Sequence, residues 1–108
     1  MHRLAAAAVL ASASFAVFAA GEPELAVVIE NHKFTPDRIE VPAGRKVKLT
    51  VENRDAAAEE FESEEMRIEK VIPGKGKGVV WVGPLKAGEY KFIGEYNEKT
   101  AHGVVVAK

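Results

Sequence analysis

The sequence predicts an all-β sandwich of about seven short strands. Three observations lead to this fold class. β-branched or alternating segments recur along the chain, Gly and Pro turn signals separate them at regular spacing, and the length allows one small core only. Everything functional must therefore lie on a single scaffold.

The clearest strand is Lys46–Asn53, where polar and apolar residues alternate with a period of two. One face of this strand is expected to be buried and the other to face water. Further strands are predicted over Glu24–Glu30, Val79–Val82, Tyr90–Tyr96 and Gly103–Ala107.

Three segments between these strands are less regular. Phe34–Gly44 contains Pro36 and Pro42, which exclude it from the centre of a sheet. Arg54–Glu65, rich in alanine and glutamate, suits a short helix as well as a loop. Leu85–Tyr90 places a tyrosine two residues after a glycine, which resembles a tyrosine corner, whose hydroxyl bonds back to the upstream backbone.

The first twenty residues have the features of a secretory signal peptide. Arg3 precedes an uncharged, alanine-rich stretch that ends in small residues, and cleavage is expected after Ala19 or Ala20. The domain organisation is thus a leader over 1–20 and one domain over 21–108, exported to the periplasm. The alternative is a permanent membrane anchor, although no basic stop-transfer flank follows the stretch.

Charge and cysteine content narrow the function classes. The chain has 15 Lys and Arg against 16 Asp and Glu, a formal net charge of -1, which indicates no nucleic-acid or anionic-membrane partner. No membrane insertion is expected once the leader is removed. It contains no cysteine, so no disulfide supports it. Stability must come from a packed core or from a bound metal.

Nothing in the sequence points to an enzyme. There is no cysteine nucleophile, no serine in a nucleophile-elbow context and no glycine-rich phosphate loop before a helix. Carboxylates are abundant, but carboxylates in a loop without a cleft do not imply acid–base catalysis.

Several segments together resemble the cupredoxins. They are Phe34–Pro36, Ile39–Gly44, Leu49–Asp55 and Leu85–Phe92. A second set resembles a cysteine-less branch, the small periplasmic cupredoxin-like proteins and domains of the EfeO type, associated with bacterial iron uptake: Glu59–Ser63, Glu69–Pro73, Gly83–Leu85 and Gly94–Glu95. The resemblance covers the mature chain and implies a cupredoxin-like Greek-key β-sandwich.

The resemblance also implies where a copper site would lie. The family's first histidine, cysteine, second histidine and axial methionine fall at Glu59, Gly94, Asn97 and His102, and all four depart from the pattern. A blue-copper centre needs a thiolate together with two imidazoles. The sequence therefore excludes a blue-copper electron carrier with the usual thiolate ligand.

An oxygen-rich site is the alternative at this corner of the fold. If the cupredoxin geometry holds, its candidate metal ligands are Glu59, Glu60, Glu62, Met66, Glu95 and His102. Carboxylates with one imidazole suit iron or manganese, copper(II) binds through the general order of affinity, and a thioether favours copper(I). The expected cofactor is an unidentified transition metal, copper or iron, or none.

Each candidate ligand has a simpler interpretation. A glutamate run is more often a solvated face than a metal site, and Met66 is more often a core gap-filler than a ligand. His102 suits an exposed loop as well as a ligand, and His32 is more typical of a structural or exposed residue. Asn97 is expected to cap the loop through its amide.

The aromatic residues are expected to be structural. Phe61, Trp81, Tyr90 and Phe92 are predicted in the core or at the corner, because a small sandwich needs apolar area to offset chain entropy. A docking patch is the alternative for Trp81 only.

The functional hypothesis is a periplasmic accessory protein that binds or delivers a transition metal in an iron or copper uptake system. Its expected partners are periplasmic or inner-membrane components of iron uptake. The alternative is a metal-free interaction module that docks on a periplasmic or membrane transport protein. A third hypothesis is a redox partner with a non-blue copper site.

Overall fold

The computed structural model describes residues 21–108, so the predicted leader over 1–20 lies outside the described residues. Within them the chain forms nine strands in two sheets and one short 3-10 helix, Glu95–Asn97. The strands are β1 (Glu24–Glu30), β2 (Lys33–Thr35), β3 (Arg38–Val41), β4 (Val47–Asn53), β5 (Glu59–Ser63), β6 (Ile68–Ile72), β7 (Lys77–Val82), β8 (Gly88–Gly94) and β9 (His102–Ala107). The predicted all-β sandwich is confirmed, with two more strands than expected.

The two sheets have the strand orders β2-β1-β4-β7 and β3-β9-β8-β5-β6. β1 pairs in parallel with β4, and β3 pairs in parallel with β9. The short strands β2 and β3 lie at sheet edges, next to Pro36 and Pro42. This position agrees with the expectation from the prolines, because proline cannot donate a ladder hydrogen bond in a central strand.

The core lies between the sheets and follows from strand alternation. Val47, Leu49 and Val51 of β4 are buried, as the period of two predicted. At the centre, Phe61 stacks on Phe92 with ring centroids 4.7 Å apart, and Phe34 meets both edge-on at 5.6 and 4.9 Å. Aromatic pairs of this kind contribute about 0.5–1.5 kcal/mol each beyond their area.

The segment 54–65, whose composition suits a short helix or a loop, contains strand β5. Phe61 and Ser63 point into the sandwich and alternate with half-buried glutamates, and β5 pairs with both β6 and β8. The preceding loop is held by buried Asn53, whose side-chain amide donates to the carbonyls of Ala57 at 2.9 Å and Ile72 at 3.2 Å. Cross-strand pairing and the burial of Phe61 override the helix propensity of the alanines and glutamates.

Of the predicted structural aromatics, Trp81 differs from the expectation. The Tyr90 hydroxyl donates to the carbonyl oxygen of Lys86 at 2.8 Å, so the tyrosine corner is confirmed. Phe61 and Phe92 are buried as predicted, but 43% of Trp81 is exposed. The core prediction is wrong for Trp81 because its place in β7 alternates with buried Val80 and Val82 and faces outward. No helix in the described part of the chain is long and apolar enough to cross a membrane.

Candidate functional site

The positions that resemble the cupredoxin copper ligands lie where β5 begins and β8 ends. Glu59 is the first residue of β5, Gly94 is the last residue of β8, and Asn97 closes the 3-10 helix that follows. Buried Ala101 stands just before β9. Glu59, Gly94, Asn97 and Ala101 are called the corner below.

Glu59 fills the corner with its side chain, and the residue is only 2% exposed. Its Oε1 accepts hydrogen bonds from the backbone N–H groups of Glu60 and Tyr96, both at 2.9 Å, and its Oε2 accepts from Nδ2 of Asn97 at 2.7 Å. A buried carboxylate needs such donors because desolvation disfavours its charge. Glu59 therefore ties β5 to the loop after β8, and Asn97 holds that loop as its amide suggested.

Gly94 is small because Glu59 occupies the space beside it. A β-carbon built on Gly94 would lie 2.7 Å from Cδ and Oε2 of Glu59 and 2.7 Å from the β-carbon of Ala101. The N–H of Gly94 also donates to the carbonyl of Ala101 at 2.8 Å. The carboxylate and a side chain at position 94 cannot share this space without rearrangement.

His102 does not point into the corner. It is the first residue of β9, is exposed, and lies opposite Ile93 of β8 on the outer face of the five-stranded sheet. Ala101, one residue earlier, is the buried neighbour of Gly94. Adjacent residues of an extended chain face opposite sides. Because Ala101 faces the corner, the next residue, His102, directs its imidazole outward.

The glutamate run is divided in the same way. Glu59 faces inward with Phe61, whereas Glu60 and Glu62 are half-buried on the outer side of the sheet. Alternation around Phe61 was the sequence signal for this division, since Glu59 lies two residues before a large apolar side chain. The corner thus receives one glutamate of the run.

Four carboxylates form an acidic cluster on the outer face of the five-stranded sheet: Glu60, Glu62, Glu69 and Glu95. Glu62 lies opposite Glu69 of β6 on one side and Ile93 of β8 on the other. A side-chain hydrogen bond with Glu95 raises the pKa of Glu62 to about 7, helped by desolvation and by the charges of Glu95, Glu60 and Glu69. The raised pKa keeps Glu62 partly protonated near neutral pH.

The remaining candidates lie elsewhere. Met66 is in the turn between β5 and β6, where it is half-buried and packs against the core. Exposed His32 lies in the β1–β2 turn with Nδ1 3.6 Å from Oδ2 of Asp55. Backbone N–H groups of His32 and Asn31 donate to that carboxylate, and these contacts lower the pKa of Asp55. Met66 thus packs as a core residue, and His32 is an exposed residue beside Asp55.

Comparison with known proteins establishes the family. The family model described as the cupredoxin-like domain matches residues 2–107. This chain belongs to the cupredoxin-like domain family. A curated relative, an uncharacterized protein of Rickettsia prowazekii (strain Madrid E), is 35% identical over 83 residues, which cover 77% of this chain and 66% of that protein. The chain thus spans slightly less than two thirds of the length of this relative.

Solved structures with this fold include copper proteins. The metal-binding domain of the Cu(I)-exporting P-type ATPase CopA of Streptococcus pneumoniae D39, solved with Cu(I), superposes with a TM-score of 0.67 at 18% identity, covering 79% of this chain and 84% of that one. Auracyanin A, a blue copper protein of Chloroflexus aurantiacus, gives a TM-score of 0.66 at 17% identity, covering 82% of this chain and 100% of that one. At these identities the likeness establishes the cupredoxin-like fold.

The corner of this cupredoxin-like domain does not fit a blue-copper ion. Such a centre takes a thiolate and two imidazoles. Here Gly94 and Ala101 offer no side-chain ligand, Asn97 directs a donor inward, and both oxygens of Glu59 already accept hydrogen bonds. Among residues 21–108, no three His, Cys, Asp or Glu residues are grouped so that they could hold a metal. The six candidate ligands are thus divided between the corner, the acidic cluster, the Met66 turn and the outer face at His102.

Proposed function

We propose that this cupredoxin-like domain is a periplasmic accessory protein of an iron or copper uptake system that acts by docking on a transport component, without electron transfer or catalysis. One observation carries the proposal: the buried Glu59 carboxylate fills the corner and is bonded by donors from the protein itself. A corner closed in this way keeps the scaffold rigid through its own hydrogen bonds. The location rests on the predicted leader, and the uptake system rests on the resemblance.

A second function, metal delivery, is favoured by the acidic cluster. Carboxylates held close together repel one another, and a cation would relieve this repulsion. The raised pKa of Glu62 beside Glu95 agrees with such crowding. In this version Glu62 and Glu95 offer a pair of carboxylates on the outer face of the sheet and the partner completes the ligand set, since no three such residues of 21–108 are grouped to hold a metal.

Calorimetric titration separates the two functions. Copper(II), ferrous iron and manganese are titrated into metal-stripped protein and into a variant that combines Glu60→Gln, Glu62→Gln and Glu95→Gln. Docking predicts no micromolar binding of any of the three metals to either protein. If a metal binds the wild type at micromolar concentration and this binding is lost in the triple variant, the result contradicts docking alone and supports metal delivery. Binding that persists in the triple variant and is lost in Glu59→Gln contradicts the closed corner.

Cellular metal content tests the role in uptake. Cells that lack this chain are expected to accumulate less iron or copper under metal limitation, as measured by elemental analysis. Expression of the triple glutamine variant restores the content if docking is the function, because the acidic cluster is not required. Unchanged metal content in cells without the chain overturns the assignment to uptake.

A further inference from the structure

The four sheet edges of the described domain differ in how they are protected. β2 has three residues and precedes Pro36, β3 has four residues with exposed Arg38 and Glu40 and precedes Pro42, and β6 exposes Glu69 and Lys70. Short length, proline and charge are the usual means by which proteins prevent an edge from pairing with another chain. Three of the edges are protected in this way.

β7 is less protected, because it is the longest of these four strands, contains no proline, and carries its one charged residue, Lys77, at its start. It has six residues, ends the order of the four-stranded sheet, and pairs only with β4 within residues 21–108. The backbone hydrogen bonds outside the ladders of the described domain involve none of its residues. The edge therefore offers a row of main-chain donors and acceptors to another strand.

The outward side chains of β7 are apolar at its centre. Val79 is 37% exposed and Trp81 is 43% exposed, on the face that also carries Thr50 and Lys48 of the neighbouring strand. Nζ of Lys46 lies 4.4 Å from the centroid of the Trp81 ring. Lys46 thus places a positive charge on one face of the indole.

The charges around this edge are mainly positive. Lys77 begins the strand and Lys46 covers Trp81, and neither is among the residues that form salt bridges in the described domain. Lys48 is 3.7 Å from Glu24, and Glu52, opposite Lys77, is 3.6 Å from Arg54. A second copy of β7 would bring further lysines to this edge, whereas an acidic strand would find complementary charge.

We propose that the free edge of β7 binds an extended segment of a partner protein in which apolar and acidic residues alternate. The inference rests on the proposed docking function and names the surface and the chemistry of the partner. The segment adds a fifth strand beside β7, its apolar side chains cover Val79 and Trp81, and its carboxylates approach Lys46 and Lys77. Backbone bonds supply affinity and the lysines select the acidic sequence.

Trp81, the one tryptophan of the chain, reports directly on this surface. A capped hexapeptide alternating valine and glutamate is titrated into the protein, and Trp81 fluorescence is followed; a valine–lysine hexapeptide is the control. The expected result is a saturable blue shift with the acidic peptide only, with slowed amide exchange in β7. No shift, or equal binding of both peptides, overturns the proposal.

Two matched variants place the peptide. Val79→Glu puts a negative charge at the centre of the surface. It is expected to weaken the affinity for the acidic peptide by at least about tenfold, a factor equivalent to about 1.4 kcal/mol. Val71→Glu makes the same change at a valine that is 48% exposed on β6, and it is expected to leave binding unchanged. Equal effects of the two variants contradict the proposal. Ultracentrifugation of the protein without peptide tests the other occupant. If the protein self-associates and Val79→Glu abolishes this self-association, the β7 edge binds a second copy of the chain instead.

The same variants separate this inference from the proposed function. If removal of the chain lowers cellular metal content but Val79→Glu restores it fully, uptake stands and the β7 surface is refuted. If removal has no effect on metal content while the peptide results hold, the β7 surface stands and the assignment to uptake fails.

Discussion

The carboxylate of Glu59 lies against Gly94, at the position where a β-carbon of residue 94 would be 2.7 Å from Cδ and Oε2 of Glu59. The two residues come from β5 and from the end of β8, and they are distant in sequence. The two residues are therefore complementary in size, because Gly94 has no side chain and the Glu59 carboxylate fills the space beside it.

Gly94→Ala is expected to destabilise the domain by about 1–3 kcal/mol, because the added methyl group overpacks the corner. Urea denaturation measures the change. Gly21→Ala, at a position with nothing within 4 Å, is the control and is expected to have little effect. In a double-mutant cycle, Glu59→Ala should reduce the cost of Gly94→Ala. Additive losses would show that the two residues do not compete for space.

Exchange of the hydrogen-bonding groups between Glu59 and Asn97 tests the bond that joins them. In Glu59→Gln, two amide donors face each other where the bond to Asn97 was. In Asn97→Asp, two carboxylates face each other at the same contact. Each change is expected to cost roughly 1–3 kcal/mol, since it leaves a buried polar group without its partner. The double variant restores one donor and one acceptor with reversed roles, so its loss of stability should be smaller than the sum.

The stability of the domain is expected to depend on pH through Glu62. The folded-state pKa of Glu62 is raised from 4.5 to about 7, so the folded protein binds more protons than the unfolded chain between these values. By linkage, the contribution of Glu62 to stability falls as the pH rises from about 4.5 to about 7 and is constant outside this window. Glu62→Gln should remove this dependence and be relatively more stable above pH 7.

Melting temperatures of wild type and Glu62→Gln across this pH range measure the effect. Glu64→Gln is the control, because Glu64 is not among the charges that act on Glu62. An NMR titration should also show that Glu95→Gln lowers the pKa of Glu62, since the contact with Glu95 is the main cause of the shift. Parallel pH curves for wild type and Glu62→Gln would contradict the expectation.

Tyr90→Phe removes the hydroxyl that donates to the carbonyl of Lys86 at 2.8 Å. The expected loss is about 0.5–1.5 kcal/mol of unfolding free energy, the usual net contribution of such a bond. Tyr96→Phe is the matched control, because Tyr96 is 55% exposed and is expected to change stability little. Equal losses in the two variants would argue against a tyrosine corner that stabilises the fold.

The fold was largely predictable because its determinants are local. The alternation of Lys46–Asn53, the prolines around the edge strands and the placement of Tyr90 after Gly88 each act within a few residues. The absence of cysteine was enough to exclude a thiolate copper centre. In such a small sandwich these local rules agree with one another, so they specify the architecture.

The site depended on tertiary structure, because its contacts join residues that are distant in sequence. Alternation around Phe61 indicates that Glu59 faces inward, but two of the three donors to its carboxylate, Tyr96 and Asn97, come from the segment after β8. The exposure of Trp81 likewise follows from the register of β7 against β4. The sequence alone determined the sandwich and the loss of the blue-copper ligands. Only packing between sheets and strand register decided which glutamate is buried, that His102 faces outward, and which sheet edge is unpaired within residues 21–108.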